Sequence, residues 1–250
     1  MTKSKQLLIS LAFAGTLIAQ DRPVPGSGII DAPGSYILQS DTTLRSHGAG
    51  ILITASNVRL NLGASVVRGP GGKAGNGIHI RGASNVHVSN GYIVNNAFGV
   101  IVENCANVVL TGLQISGEGL AVTAPPPEVA IMVLQSKNVV VEGNSIYNTG
   151  LGIFVRGGRS WGNQIIHNTV TGGTNAVLGI CYNPADDDPQ GPRGDLIAYN
   201  LVSGFNTGFQ FSDNSVSNVV KENTVAYRVT AIEFKNGKNL DLDNSKIQLP

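Results

Sequence analysis

A short strand motif, glycine or alanine followed by apolar residues, returns eight times along the 250-residue chain. It reads GILI at Gly50, GIHI at Gly77, GVIV at Gly99, AIMV at Ala130, GIFV at Gly152, GICY at Gly179, GFQF at Gly208 and AIEF at Ala231. The spacings of 27, 22, 31, 22, 27, 29 and 23 residues describe a unit of 22 with insertions. A recurrence of that length marks a solenoid, in which a unit buries its apolar face only by stacking on its neighbours.

Each unit holds two further β-rich segments. The second starts as NVRL at Asn57, NVHV at Asn85, NVVL at Asn107, NVVV at Asn138, NVVK at Asn218 and NLDL at Asn239. The third is marked by Ile93, Ile115, Ile146, Val170, Val202 and Val225. Three short segments split by Gly and Asn turns predict a three-sided coil without helices. A leucine-rich horseshoe needs a leucine-spaced signature and a helical half, and a propeller needs units nearer 40 residues; neither pattern is present. The expected fold is all-β, a right-handed parallel β-helix of about eight coils with inward columns such as Ile78, Val100, Ile131, Ile153, Ile180, Phe209 and Ile232. Asn144, Asn168, Asn200 and Asn223 recur just before the third segment and predict a ladder of stacked amides inside the turn.

Glycine, at 32 residues, follows no G-X-Y period and comes with abundant Val, Ile and Asn, so turns rather than collagen or disorder explain it. Charged residues are only 13% of the chain and the net charge is +1, which argues against a nucleic-acid partner because that role needs a basic stripe. At the N-terminus, Lys3 and Lys5 precede an apolar run from Leu7 to Ile18. That run is too short to span a bilayer and reads as a secretory signal. The expected organisation is a signal peptide over 1–19, an N-terminal cap over 20–49 and the β-helix over 50–250 in a secreted protein, with no membrane span. Cys105 and Cys181 fall about three coils apart, too far for a disulfide, and are read as unpaired.

The stretch GSYILQSDTTL, then GAGILITASNVRLNLG, then the NVxxxGNSI pattern, resembles bacterial secreted proteins of the right-handed parallel β-helix superfamily, the pectate-lyase-like and NosD-like repeat proteins. The resemblance covers residues 26–249. It implies the fold strongly and carbohydrate chemistry only loosely, since lyases, polygalacturonases, epimerases, phage spikes and adhesins share the architecture. No enzyme family matches by motif. An alginate-epimerase-like site needs a tyrosine ahead of D-P-H, whereas here Tyr182 precedes Asp188, Pro189 and Gln190 and sits at an inward position.

The long insertions, residues 69–76, 117–129, 172–178 and 183–195, all flank the first strand, and the turn that carries the asparagines never lengthens. This asymmetry predicts a groove over the first-strand face, because loops on a rigid scaffold carry function. Side-chain alternation places His79, Arg81, Glu103, Met132, Phe154 and Arg156 outward there, with Arg159, Trp161, Arg193 and Asp186, Asp187 and Asp188 on the flanking loops. His79, Arg81 and Arg156 are the candidate catalytic residues; Glu103, Met132, Phe154, Trp161 and Arg193 are candidates for substrate contact. Arg81 and Glu103, on adjacent coils, are expected to form a surface ion pair. Ile101, Met132 and Phe154 form an apolar stripe, either covered by the Pro-rich segment 120–130 or left as a stacking floor for sugar rings or an interaction patch. Arginine suits a uronate carboxylate, and three successive aspartates offer oxygen ligands to calcium.

Two readings stand. One is an acidic-polysaccharide enzyme of lyase or epimerase type, favoured over a glycoside hydrolase; the other is a non-catalytic β-helix that binds glycan or packs in the cell envelope.

Overall fold

A computed structural model describes residues 21–45, 48–70, 74–117, 129–236 and 238–250. The expected signal peptide and most of the Pro-rich segment lie outside the described residues. Among those described there is no helix, and every paired strand runs parallel to its neighbours in a right-handed β-helix of about eight turns.

Strands stack on three faces. The first face runs from Ile29–Ile30 through Ala49–Ile53, Asn76–Arg81, Phe98–Glu103, Val129–Leu134, Leu151–Arg156 and Leu178–Asn183. The second face forms a separate sheet from Arg22–Pro23 to Leu240–Leu242. The third runs from Thr42–Thr43 to Ser145–Thr149 and Thr169–Gly172. Beyond it the third and first faces fuse, because two strands of 11 residues, Leu201–Phe211 and Thr224–Phe234, pass round the corner between them. Residues 22–43, expected as a cap, supply a short strand to each face.

Register confirms the inward column: Ile51, Ile78, Val100, Ile131, Ile153, Ile180, Phe209 and Ile232 pair in succession. All but Ile232 are at most 1% exposed. The recurrent glycine that opens the strand has a packing cause. A Cβ on Gly99 would lie 2.5 Å from the Ala130 carbonyl oxygen and 2.7 Å from Cγ2 of Ile115 on the third face. The corner between third and first faces leaves no room for it.

Buried asparagine pairs link the coils at the turn before the third face. The Nδ2 groups of Asn144, Asn168, Asn200 and Asn223 donate to Oδ1 of Asn168, Asn200, Asn223 and Asn244 at 3.0, 3.0, 2.9 and 2.8 Å. The backbone N–H of each donates to the same oxygen. Asn57, Asn85, Asn107 and Asn138 form another set, at the exposed corner before the second face, with φ of 52–58°. Their amides bond coil to coil at 3.0–3.1 Å.

The structure corrects the alignment of Asn218 and Asn239 with that second set. Val140 pairs in succession with Gln164, Leu196, Val219 and Leu240, so both asparagines sit one position later than Asn138. They join Asn163 and Asp195 in a buried inward row. A one-residue difference in register moves a side chain from one face of a strand to the other, which is why the two rows differ in burial.

Candidate functional site

The outward side of the first face carries two rows of side chains. In one, Leu52, His79, Ile101, Met132, Phe154, Cys181, Gln210 and Glu233 follow one another in register; in the other, Arg81, Glu103, Leu134, Arg156 and Asn183 do so. The first row is less open than alternation implies. Ile101 is 9% exposed and Cys181 only 1%, while Met132 and Phe154 are half-buried.

Glu103 does not pair with Arg81. Its Oε2 lies 2.8 Å from Nε2 of His79, diagonally across the strands, and Arg81 stands exposed. The expected Arg81–Glu103 pair is thereby corrected: His79 is the partly buried neighbour, where a carboxylate gains more from a partner than it would at the rim. Arg156 lies over the Phe154 ring, 5.3 Å from its centroid. Its guanidinium donates to Asp186 at 2.7 Å and to the Pro184 carbonyl at 3.3 Å. Arg156 thus takes its partners from the loop that follows Asn183.

The aspartates of that loop diverge. Asp186 faces Arg156, while Asp188 accepts from the backbone N–H of Gln190 and Gly158 and from Nε2 of Gln135. The Gln190 hydrogen bond leads the causes that hold the Asp188 carboxyl below its ordinary pKa, with Gln135, Gly158 and Arg159 adding to it. Asp187 lines a hollow with Asp188, Glu103 and Arg159. Among the described residues no three His, Cys, Asp or Glu side chains gather as a metal would require, so the expected calcium ligands Asp186, Asp187 and Asp188 do not converge.

Three hollows follow the corner after the first face, and another of about 250 Å³ lies against the second face beside Arg59 and His87. One of about 340 Å³ is lined by Ser84, Asn104, Cys105, Ala106, Gln135, Lys137, Arg159 and Trp161. A second of about 320 Å³ shares Asn104, Gln135 and Arg159 with it and adds Glu103, Leu134, Asp187 and Asp188. A third, also about 320 Å³, continues toward the C-terminal coils with Gln190, Arg193, Asn214 and Lys238. Single bridges join Lys137 to Trp161, Trp161 to Arg193 and Arg193 to Val216, so these residues form one row parallel to the helix axis. Trp161 is 41% exposed, and Lys137 Nζ sits 5.4 Å from its ring centroid.

Of the residues chosen from the sequence, His79 and Glu103 come together, Arg156 and Phe154 come together, and Trp161 and Arg193 meet on a different corner. The sequence reading missed Gln135, Lys137 and Asn104. The only signal for them was the position of each in the two or three residues after a first-face strand, where the chain turns.

Two buried acids stand apart from the groove. Asp195 is 1% exposed, and burial lifts its carboxyl to about 6 even though Asn163 donates to both of its oxygens. The Tyr182 hydroxyl is buried beside Asp195; burial first, and the Asp195 charge second, hold it well above its ordinary pKa. Cys105 and Cys181 are free and buried, and burial pushes the Cys181 thiol up to about 12.

Residues 56–245 match the profile of the family described as periplasmic copper-binding protein (NosD). Among solved structures, the chain is similar to an alginate lyase from Paenibacillus sp. str. FPU-7, with 14% identity, a TM-score of 0.55, and 88% of this chain and 90% of that one covered. It is similar to the DFA-IIIase of Arthrobacter chlorophenolicus A6, solved with DFA-III, at 15% identity and a TM-score of 0.51, covering 88% of this chain and 57% of that one. A tailspike of E. coli bacteriophage HK620, solved with a pentasaccharide, gives 12% identity and a TM-score of 0.51, covering 86% of this chain and 39% of that one. At such identities these likenesses establish the fold. No curated protein matches the sequence.

Proposed function

The chain belongs to the periplasmic copper-binding (NosD) family, and from that premise we propose that it is an exported β-helix protein that binds an acidic polysaccharide along the corner between its first and second faces. The residues at hand do not fit copper. His79 is held by Glu103, both thiols are buried with raised pKa, and no three His, Cys, Asp or Glu side chains cluster among the described residues. A copper site needs softer ligands gathered in one place.

The observation that carries the reading is the exposed Trp161 ring beside Lys137 and Arg159 in one hollow. An amphipathic ring offers a stacking surface, and the two cations suit the carboxylate of a uronate. Arg193 and Lys238 continue the positive side along the axis, against Glu103, Asp187 and Asp213. Proteins of the same fold include the alginate lyase and the pentasaccharide-bound tailspike named above, which is in keeping with a glycan ligand. The apolar N-terminal run with its two lysines supports export.

A catalytic reading, of lyase or epimerase type, is favoured by one further contact. With Glu103 on its Nε2, His79 is oriented as a base, and Glu103 also lines the groove. Such a base removes the proton beside a uronate carboxylate. The test is a glycan array on the wild type and on Trp161→Ala, followed by an assay for unsaturated uronate on each glycan bound. Removing the ring is expected to weaken acidic-glycan binding tenfold or more, about 1.4 kcal/mol, the scale of an aromatic anchor. Undiminished binding by Trp161→Ala, or preference for neutral glycans alone, sinks the proposal.

A further inference from the structure

The hollow of about 250 Å³ on the second face is lined by polar side chains, among them Asp21, Ser35, Arg59, Asn61, His87 and Ser89. Register explains why they gather. Ser35, Arg59 and His87 follow one another in one outward row, and Asn61 pairs with Ser89 in the next. Arg59 and His87 therefore stand opposite each other on neighbouring strands, about 4.8 Å apart. Basic groups placed in this way repel.

Nothing among the described residues offsets that repulsion. Arg59 is exposed and makes no ion pair or hydrogen bond, and Nε2 of His87 is buried without a partner. Asp21 is the one carboxylate lining the hollow. It lies one residue before the pair Arg22–Tyr36, and so two strands from Arg59, with Ser35 between them. On the other side of His87 the row continues with Val109, which carries no charge. Burial first, and the Arg59 charge second, hold the His87 imidazole below its ordinary pKa. Buried polar nitrogens are nearly always bonded, and an unpartnered one beside an arginine marks a place where an anion would gain from both.

We propose that Arg59 and His87 bind the oxygens of a tetrahedral anion, a phosphate or sulfate group, in this hollow. The other donors favour such a group over a carboxylate. Ser35 and Ser89 bring hydroxyls, and Asn61 brings Nδ2, since its Oδ1 already accepts from Gly63 and Asn90. These donors come from adjacent strands, so an anion with oxygens on several sides can meet them together, whereas a carboxylate presents its oxygens in one plane. The volume falls below that of pockets for drug-sized ligands, which suits a free ion or the charged group of a sulfated or phosphorylated sugar. The site lies away from the Trp161 corner and is independent of the glycan reading. An anion here offsets the Arg59 charge, so His87 keeps its proton to higher pH when the site is filled. By the same linkage, sulfate binding weakens as pH rises through the His87 range.

The test follows the histidine ring signals of the full chain by NMR across pH, with sodium sulfate or with sodium chloride at equal ionic strength. Sulfate is expected to raise the pKa of His87 saturably while leaving His79 and His167 where chloride leaves them. Arg59→Gln, whose fold circular dichroism checks, should weaken sulfate binding about tenfold or more. Glucose 6-sulfate and glucose 6-phosphate, run beside the free ions, distinguish the sources: tighter binding of the esters assigns the group to a glycan, tighter binding of the ions to a free anion. A His87 pKa that sulfate moves no further than chloride does overturns the proposal, as does an undiminished response in folded Arg59→Gln.

Discussion

Asp195 stands in a row of asparagines, and replacing it with asparagine should make the protein more stable at neutral pH. Its Oδ1 accepts the Asn163 backbone N–H at 2.8 Å, its Oδ2 accepts Asn163 Nδ2 at 3.0 Å, and its own N–H donates to Asn218 at 3.0 Å. These bonds favour the carboxylate, yet burial outweighs them and lifts the pKa from 3.8 to about 6. The folded state therefore holds its proton through a pH range in which the unfolded chain has lost it. Stability falls as pH rises from about 4 to about 6, and the loss is complete above that range. At about 1.4 kcal/mol per pKa unit it comes to about 3 kcal/mol. An amide fits the site, because in the equivalent contact Asn200 Oδ1 accepts both the N–H and Nδ2 of Asn168. Urea unfolding of wild type and Asp195→Asn, followed by circular dichroism from pH 4 to 8, reads the difference directly. The variant's advantage should grow by about 2 kcal/mol between pH 4 and 7.5, since part of the loss is already present at pH 4. A difference that stays constant over that range refutes the argument.

Asn168→Ala removes donors to the Val141 and Ile166 carbonyls and to Asn200, and strands the Asn144 amide that bonds its Oδ1. It should cost about 1–3 kcal/mol in urea unfolding, the penalty for buried groups left unpaired, and a change below about 0.5 kcal/mol would contradict that role. Copper(II) or calcium added in excess should leave the melting temperature unchanged, since a ligand raises it only by binding the folded state; a saturable rise would show a donor set other than the one described.

The parts of the fold that were legible in the sequence are those where one side chain has one possible cause. A glycine before an apolar pair marks a corner too tight for a Cβ in six of the eight first-face strands, Ala130 and Ala231 standing at the same position in the other two, and the strands stack where that motif recurs. Asparagine has two causes here. It tolerates the left-handed conformation at Asn138, φ 52°, and it also pairs inward at Asn218, so NVV reads alike in both places. Only the pairing of Val140 with Gln164 and onward to Val219 separates them.

The site was less legible, and the reason lies in what a solenoid holds constant. Outward rows on the first face are set by register, so His79, Glu103 and Arg156 could be placed from alternation alone. Their partners could not, because partner choice depends on reach: Glu103 turns to His79 over Arg81, and Asp186 reaches Arg156 only because the loop after Asn183 folds back toward earlier coils. That loop also sets Asp188 against Gln135 and Gly158, two coils and one coil back. Strand interiors cannot lengthen without breaking register on both sides, whereas corners can. Among the described residues only the insertion 183–195 reaches the corner after the first face, giving Asp187, Asp188, Gln190 and Arg193 to its hollows, whereas Trp161, Lys137 and Arg159 come to it from earlier coils.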